Sequence, residues 1–168
     1  MRIAYVSPFY FPAICGVGRV VRELAEIAVK EGHEVHVFCS DTDKFRRLKV
    51  KDEVINGVHV HRCYYWFKVA NFAYIWPSVI LKLYKYDFDV IHTHAFGHAH
   101  SFFGALVAKM RGIRHVHTTH CCWTDSFRSL PGKLMLNMTY PTFGKLTFLW
   151  SKKIIAITPW EIDYIKKW

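Results

Sequence analysis

Apolar residues in this chain follow two periods that alternate from one end to the other. Arg2 to Ser7 (RIAYVS) is short, β-branched and aromatic, which predicts a first strand buried on both faces. Pro8 to Val17 holds two prolines and a glycine and predicts irregular structure. From Gly18 the period lengthens: Val17, Val20, Val21, Leu24, Ala25 and Ala28 make one stripe, and Arg19, Arg22, Glu23, Glu26 and Lys30 lie mostly off it. That pattern predicts an amphipathic helix, with Gly32 as its left-handed stop and Glu34 to Cys39 as a second strand.

The alternation continues. Asp41 to Lys51 is charged and aperiodic, a surface loop. Asn56-Gly57 marks a turn between Val54-Ile55 and Val58 to Cys63, either a hairpin or a third strand with a ragged entry. Phe72 to Tyr86 reads as helix-like, interrupted or restarted at Pro77. Asp89 to His94 predicts a strand, Ala99 to Arg111 a helix closed by Gly112, and Arg114 to Thr119 another strand. Pro131 to Trp150 predicts a long apolar helix broken near Pro141; Lys153 to Thr158 is a last strand, and Pro159 suits the start of a helix. Strands alternating with helices predict an α/β fold: one domain over residues 1–168, an open, doubly wound, mostly parallel sheet with helices on both faces.

Composition narrows the partners. A net charge of +10, from 23 basic and 13 acidic residues, favours an anionic partner, a phosphorylated substrate or a negative lipid surface. Nucleic acid is disfavoured, because the basic residues are scattered and no recognition motif is present. The most apolar region, Cys63 to Tyr84, is broken by Lys68, Asn71, Pro77, Ser78 and Lys82, so no clean membrane span is predicted. With Met1-Arg2 leading straight into a strand, the expectation is a cytoplasmic protein, peripheral at the membrane at most. The five cysteines show no paired metal spacing. Tyr64 to Phe67 with the nearby lysines suits a lipid interface, although the same residues also suit packing on a sheet.

Two constellations carry candidate chemistry. The loop Pro12-Ala-Ile-Cys-Gly-Val-Gly18 joins the first strand to the first helix, where unpaired backbone N–H groups and the helix dipole favour an anion. Cys15, Gly16, Val17, Gly18 and Arg19 are the candidate binding residues there. Gly16-Val-Gly18 supplies only two glycines of a dinucleotide fingerprint, with Val21 in the third place and too long a loop. A dinucleotide module, with Asp41 imitating the ribose-binding acid, is therefore the runner-up. The second constellation is histidine: His92, His94, His98 and His100 around one strand end, and His115, His117 and His120 around the next. With Cys121, Cys122 and Asp125 nearby they suggest a metal site, but H-x-H alone is a weak signal and hydrogen-bonded core histidines are commoner. His120, at a strand end beside the crevice, stands out.

Four blocks in order resemble the amino-terminal, acceptor-side domain of retaining glycosyltransferases built from two Rossmann-like domains (the GT-B architecture, group 1 or family 4 type). They are Pro12 to Val21 followed by Leu24-Ala25 and Gly32 to Val37; Asp89 to His94; Val116 to His120; and Ile154 to Pro159. The resemblance implies sugar transfer from a nucleotide-sugar donor to a sugar or lipid-linked acceptor, with retained configuration and no cofactor or obligatory metal. It implies that the glycine loop approaches the donor diphosphate and acceptor. His120 would contact the transferred sugar and support the transition state as the catalytic residue; His94 and Thr158 would join the donor and acceptor site. Gly16 matches the second of the family's paired glycines, and Cys15 stands in place of the first. The family continues into a carboxyl-terminal Rossmann-like domain that binds the nucleotide, which these residues lack, so inactivity of the chain alone is expected. A non-catalytic lipid-surface or dinucleotide-binding module is the alternative of a different class.

Overall fold

The computed structural model describes residues 1–69, 73–120 and 129–168. In order, its elements are β1 (Arg2–Val6), α1 (Gly16–Lys30), β2 (Glu34–Ser40), β3 (Asp52–Ile55), β4 (Val58–Cys63), β5 (Phe67–Val69), β6 (Ala73–Ile75), α2 (Ser78–Tyr84), β7 (Val90–His94) and α3 (Ala99–Arg111). There follow β8 (Arg114–Thr118), α4 (Leu130–Thr139), a π-helical turn (Tyr140–Gly144), α5 (Lys145–Leu149), β9 (Lys153–Ile155) and α6 (Glu161–Ile165). Among the described residues, seven strands form one sheet in the order β3-β4-β2-β1-β7-β8-β9. Every neighbouring pair is parallel except β3 with β4. The strands β5 and β6 pair antiparallel as a separate ribbon.

The central strand shows why its sequence is apolar without interruption. Ile3 and Tyr5 of β1 point to α1, into a cluster with Val21, Ala25 and Ala28. Ala4 and Val6 point the other way, toward Val79 and Leu83 of α2 and Val107 of α3. The close approach of α3 rests on Gly104, where an added Cβ would lie 2.6 Å from the Thr93 methyl and 3.4 Å from Val6 Cγ2. Left-handed Gly112 closes this helix (φ 65°), as its sequence predicts.

Four expectations are adjusted. The first helix starts at Gly16, two residues before the stripe predicts, because Cys15 caps it. The segment from Phe72 to Tyr86 is helical only over Ser78–Tyr84; Ala73–Ile75 turns back along β5, where the aromatic residues suit a ribbon. Phe72 itself lies outside the described residues. The long apolar run after Pro131 passes Pro141 through a wide turn rather than breaking there. The last strand stops at Ile155, because the amides of Ile157 and Thr158 donate to the Glu161 carboxylate (2.7 and 3.4 Å). The choice at Asn56-Gly57 falls to a hairpin, with both residues left-handed (φ 50° and 81°) as a tight two-residue turn requires.

Replacing Gly104 with alanine should force α3 away from β1 and β7. A loss of about 1–3 kcal/mol is expected, typical of an overpacked core, read as a lowered urea midpoint with unchanged cooperativity.

Candidate functional site at the carboxyl edge of the sheet

From β1 the chain passes through α1 to β2 on one side, while β7 occupies the other edge of β1. Such a point of diverging connections leaves a crevice at the carboxyl ends of the strands, where open α/β sheets bind ligands. Non-glycine residues in the left-handed region sit at this edge: Ala95 after β7 (φ 76°) and His120 after β8 (φ 59°). Backbone held in such conformations tends to collect at functional sites.

The glycine loop is tied down before it reaches the helix. Ser40 Oγ donates to the Pro8 carbonyl (2.5 Å) and Ser7 Oγ to that of Phe9 (2.9 Å). From β4, buried Arg62 donates to the carbonyl of Phe11 (2.8 Å) while pairing with Glu53. The Cys15 thiol then does the work of a serine or aspartate, its Sγ accepting from the Gly18 amide at 3.2 Å. Gly16 and Val17 occupy the first turn, whose amides have no acceptor within the helix. Gly18 is buried, and a Cβ there would sit 3.0 Å from Cys15 Sγ and 3.1 Å from the Phe9 carbonyl. Gly16 differs: it is exposed, its φ is ordinary, and an added Cβ would meet nothing within 4 Å. Nothing in the fold demands a glycine there. Exposed Arg19 pairs with Glu23 (3.0 Å) along the helix. A hollow of about 520 Å³ flanks this loop, lined by Phe11, Ile14, Cys15, Gly16, Arg19 and Arg22 among others. It does not reach His94 or His120, so the sheet edge rather than the hollow defines the site.

Across the edge, the histidines divide by face. His92 and His94 lie on the same face as Tyr5, whose ring centroid is 5.4 and 5.9 Å from theirs. His92 Nε2 is 2.8 Å from Thr118 Oγ1, and His94 Nδ1 is 2.8 Å from His120 Nε2. On the opposite face, Thr93 Oγ1 bridges His115 Nε2 (2.9 Å) and His117 Nδ1 (2.8 Å). The His94 carbonyl accepts from His100 Nε2 at 2.8 Å, and Ser101 Oγ lies at the same distance. His94 is wholly buried and His120 half-buried, so among the described residues His94 reaches the crevice through His120. Between the loop and His120 lie two strand spacings, about 10 Å, on one edge and one face.

A residue without a sequence assignment completes this corner. Glu161 is fully buried, and its Oε2 accepts from Thr119 Oγ1 at 2.9 Å as well as from the amides of Ile157 and Thr158. It fastens the residue before His120 to the turn holding half-buried Thr158. The signal was present as Thr158-Pro-Trp-Glu161, the spacing of a capping box.

The two competing readings lose ground here. Asp41 is fully buried and engaged by Arg47 (2.9 Å), Lys51 (2.6 Å) and the Tyr65 amide (3.2 Å), so it cannot serve a ribose. Among the described residues no group of three metal-ligating side chains converges; Cys121, Cys122 and Asp125 lie outside those residues. The buried histidines instead act as hydrogen-bonded core.

These features define an open, mostly parallel α/β domain of the Rossmann-like kind. The chain belongs to glycosyltransferase family 4: the family profile, described as Glycosyltransferase Family 4, matches residues 14–168. It is 32% identical over 126 residues to the alpha-monoglucosyldiacylglycerol synthase of Streptococcus pneumoniae, covering 74% of this chain and 28% of that protein. It is 23% identical over 168 residues to the phosphatidylinositol N-acetylglucosaminyltransferase GPI3 subunit of Saccharomyces cerevisiae, covering 97% of this chain and 32% of that protein. The chain thus spans about a third of the length of these curated relatives. Among solved structures, the UDP-GlcNAc 2-epimerase from Methanocaldococcus jannaschii shares the fold, with a TM-score of 0.57 at 16% identity over 99% of this chain and 42% of that one.

Burial holds the edge histidines neutral. It pushes His92 and His100 down to about 4 and His115 to about 3, and it holds His94 and His117 well below the usual range. His120 is also pushed to about 4 by burial, with the Glu161 charge opposing. Unfolded histidines titrate near 6.5, so between about pH 6.5 and 4 the unfolded chain binds more protons and stability falls as pH falls. Each histidine contributes up to about 1.4 kcal/mol per pH unit in that window. Urea midpoints should be level above about pH 7 and drop steeply below pH 6; a level profile down to pH 4.5 would contradict the burial of these groups.

Proposed function

We propose that this chain is the acceptor-side half of a retaining glycosyltransferase that moves a sugar from a nucleotide-sugar donor to a lipid-linked acceptor at the cytoplasmic membrane face. The observation that carries the reading is Gly16. Its missing side chain serves no packing or backbone need, yet it lies in the first turn of a helix whose N-terminus faces the switch-point edge. Open space there lets a diphosphate approach first-turn amides. On the same edge, neutral His120 supplies a positioned dipole against the sugar rather than a charge. As the bond from the anomeric carbon to the diphosphate oxygen breaks, a bond to the acceptor hydroxyl oxygen forms on the same face of the sugar, and the hydroxyl proton passes to the departing diphosphate oxygen. The departing diphosphate and fixed dipoles stabilise the positive charge in between. No metal is required by this scheme. The nucleotide is held by a second Rossmann-like domain, and the 168-residue chain alone does not transfer sugar.

A lipid acceptor is favoured over a soluble polysaccharide by one surface and by the relatives' names, two of which specify lipid products or substrates. Leu130, Leu134 and Met138 are 80%, 64% and 66% exposed at four-residue spacing along α4. That helix contacts β5, where Phe67 and Lys68 are exposed, as is Trp66 just before the strand. Apolar side chains flanked by cations suit an anionic lipid interface. Among the described residues no helix is long and apolar enough to cross a membrane.

Two measurements test the reading. Gly16→Val in the protein carrying both domains should abolish transfer from nucleotide sugar while changing the unfolding free energy by no more than about 0.5 kcal/mol; undiminished transfer would remove Gly16 from the site. Leu134→Ser with Met138→Ser should weaken co-sedimentation with anionic phospholipid vesicles by about tenfold or more, given the apolar area lost. Equal binding by the variant would move the lipid contact elsewhere.

A further inference from the structure

Buried His94 has a consequence for His120 that the fold determines. Its Nδ1 is 2.8 Å from His120 Nε2, and its Nε2 has no partner among the described residues. A neutral imidazole carries one proton, so the pair has two ways to share a hydrogen bond. If His120 donates, His94 must carry its own proton on Nε2, leaving an orphaned N–H in the interior. If His94 donates from Nδ1, only a lone pair on Nε2 is left unused. Orphaned buried N–H groups are rarer in proteins than under-used acceptors. Burial keeps both rings neutral, which removes a shared extra proton as a third solution.

We infer that His94 is a positioning residue that donates from Nδ1 to His120 Nε2 and so locks His120 in the tautomer carrying its proton on Nδ1. The lock is stiff at both ends. His94 is fixed by its strand pairing and by the His100 and Ser101 contacts to its carbonyl. His120 is held in the left-handed region, with its neighbour Thr119 bound to buried Glu161. For the transfer proposed above, on which this role rests, the lock makes His120 a hydrogen-bond donor through Nδ1 rather than an acceptor. A donor is the partner that a sugar hydroxyl oxygen or a phosphoryl oxygen requires.

The opposite face of the sheet carries the same pattern. His117 Nε2 is also unpartnered, so His117 Nδ1–H donates to Thr93 and the Thr93 hydroxyl donates to His115 Nε2. His115 Nδ1–H then donates to Ser151 Oγ (2.9 Å), whose hydroxyl donates to the Thr147 carbonyl (2.7 Å). Every proton has one place. His100, donating to a carbonyl through Nε2, must be the opposite tautomer.

Long-range ¹H–¹⁵N correlation of the ¹⁵N-labelled 168-residue chain reads these tautomers directly. His94 and His120 should both show a protonated Nδ1 and His100 a protonated Nε2; a protonated Nε2 on His120 overturns the lock. His94→Asn, which keeps an amide N–H near the Nδ1 position, should preserve the His120 signature, and His94→Leu should lose it. In the protein carrying both domains, His94→Leu should lower kcat on the order of a hundredfold, the scale of losing one preorganised donor. KM for the donor should change little, and His94→Asn should restore most of the rate. Correct tautomers with an unaffected kcat in His94→Leu would show that the lock exists but plays no part in transfer. Absence of transfer by the wild-type two-domain protein would instead bring down the glycosyltransferase reading and the role with it, leaving the tautomers as measured.

Discussion

Everything in this domain is hung on β1. It is paired on both edges, packed on both faces, and is the strand at which the chain's connections diverge. A strand so enclosed must be apolar along its length, and its carboxyl end becomes the one place where neighbouring loops part. Ser7, the first residue after β1, and Ser40, the last residue of β2, donate to carbonyls of the loop backbone, so the loop leaves the sheet in a fixed direction. The helix it feeds starts where a cysteine, of all cap residues, terminates the turn. Sulfur is a weak acceptor, and its larger radius accounts for the close fit between Cys15 and Gly18.

The second requirement is polarity without charge. Four buried histidines (His94, His100, His115 and His117) and two half-buried ones (His92 and His120) would be a severe liability as cations, and the fold avoids that by giving each a neutral hydrogen-bonding role. The arrangement is directional, with protons ordered from ring to hydroxyl to carbonyl. Such an interior is stiff, and the dipoles it presents at its edge are already oriented before a ligand arrives, which is what electrostatic stabilisation of developing charge needs.

Much of the fold was legible from periodicity. The bounds of α3 and its closing glycine and the alternation of strands with helices follow from local patterns, and the turn at Asn56-Gly57 is marked there while the choice between a hairpin and a ragged third strand stays open. The failures share a cause: the pattern read from hydrophobic spacing was overridden by a competing contact a few residues along the chain. Aromatic Ala73–Ile75 pairs with β5 instead of extending α2, and β9 ends early because Glu161 competes for its amides. Within the site, the sequence marks Gly16, His94 and His120 as a group, but it is silent on depth. That His94 lies beneath His120 rather than beside it depends on the register of β7 against β8, His94 opposite Thr118. Cys15 stands at its position as the helix cap, its sulfur accepting from the Gly18 amide, a role that no common cap residue type signals in the sequence. Glu161 carried a recognisable capping signature, yet its bond to Thr119 links residues 42 apart in sequence and no local rule contains it.

The wide turn at Tyr140–Gly144 sets the angular phase between two helices. Passing through an i→i+5 turn lodges an extra residue in the path, and one residue of an α-helix corresponds to a rotation of about 100°. With that residue in place, Leu136 of α4 and Phe148 of α5 reach the same cluster, where the Phe148 and Phe96 ring centroids lie 4.3 Å apart. Deleting a single residue near Thr142 would rotate α5 by more than a quarter turn relative to α4, swinging Phe148 off Phe96 and turning exposed Leu149 toward the interior. Chain length in this segment is therefore as strictly specified as side-chain volume. A one-residue gap here would be felt on the sheet face behind the histidines, although no histidine had been touched.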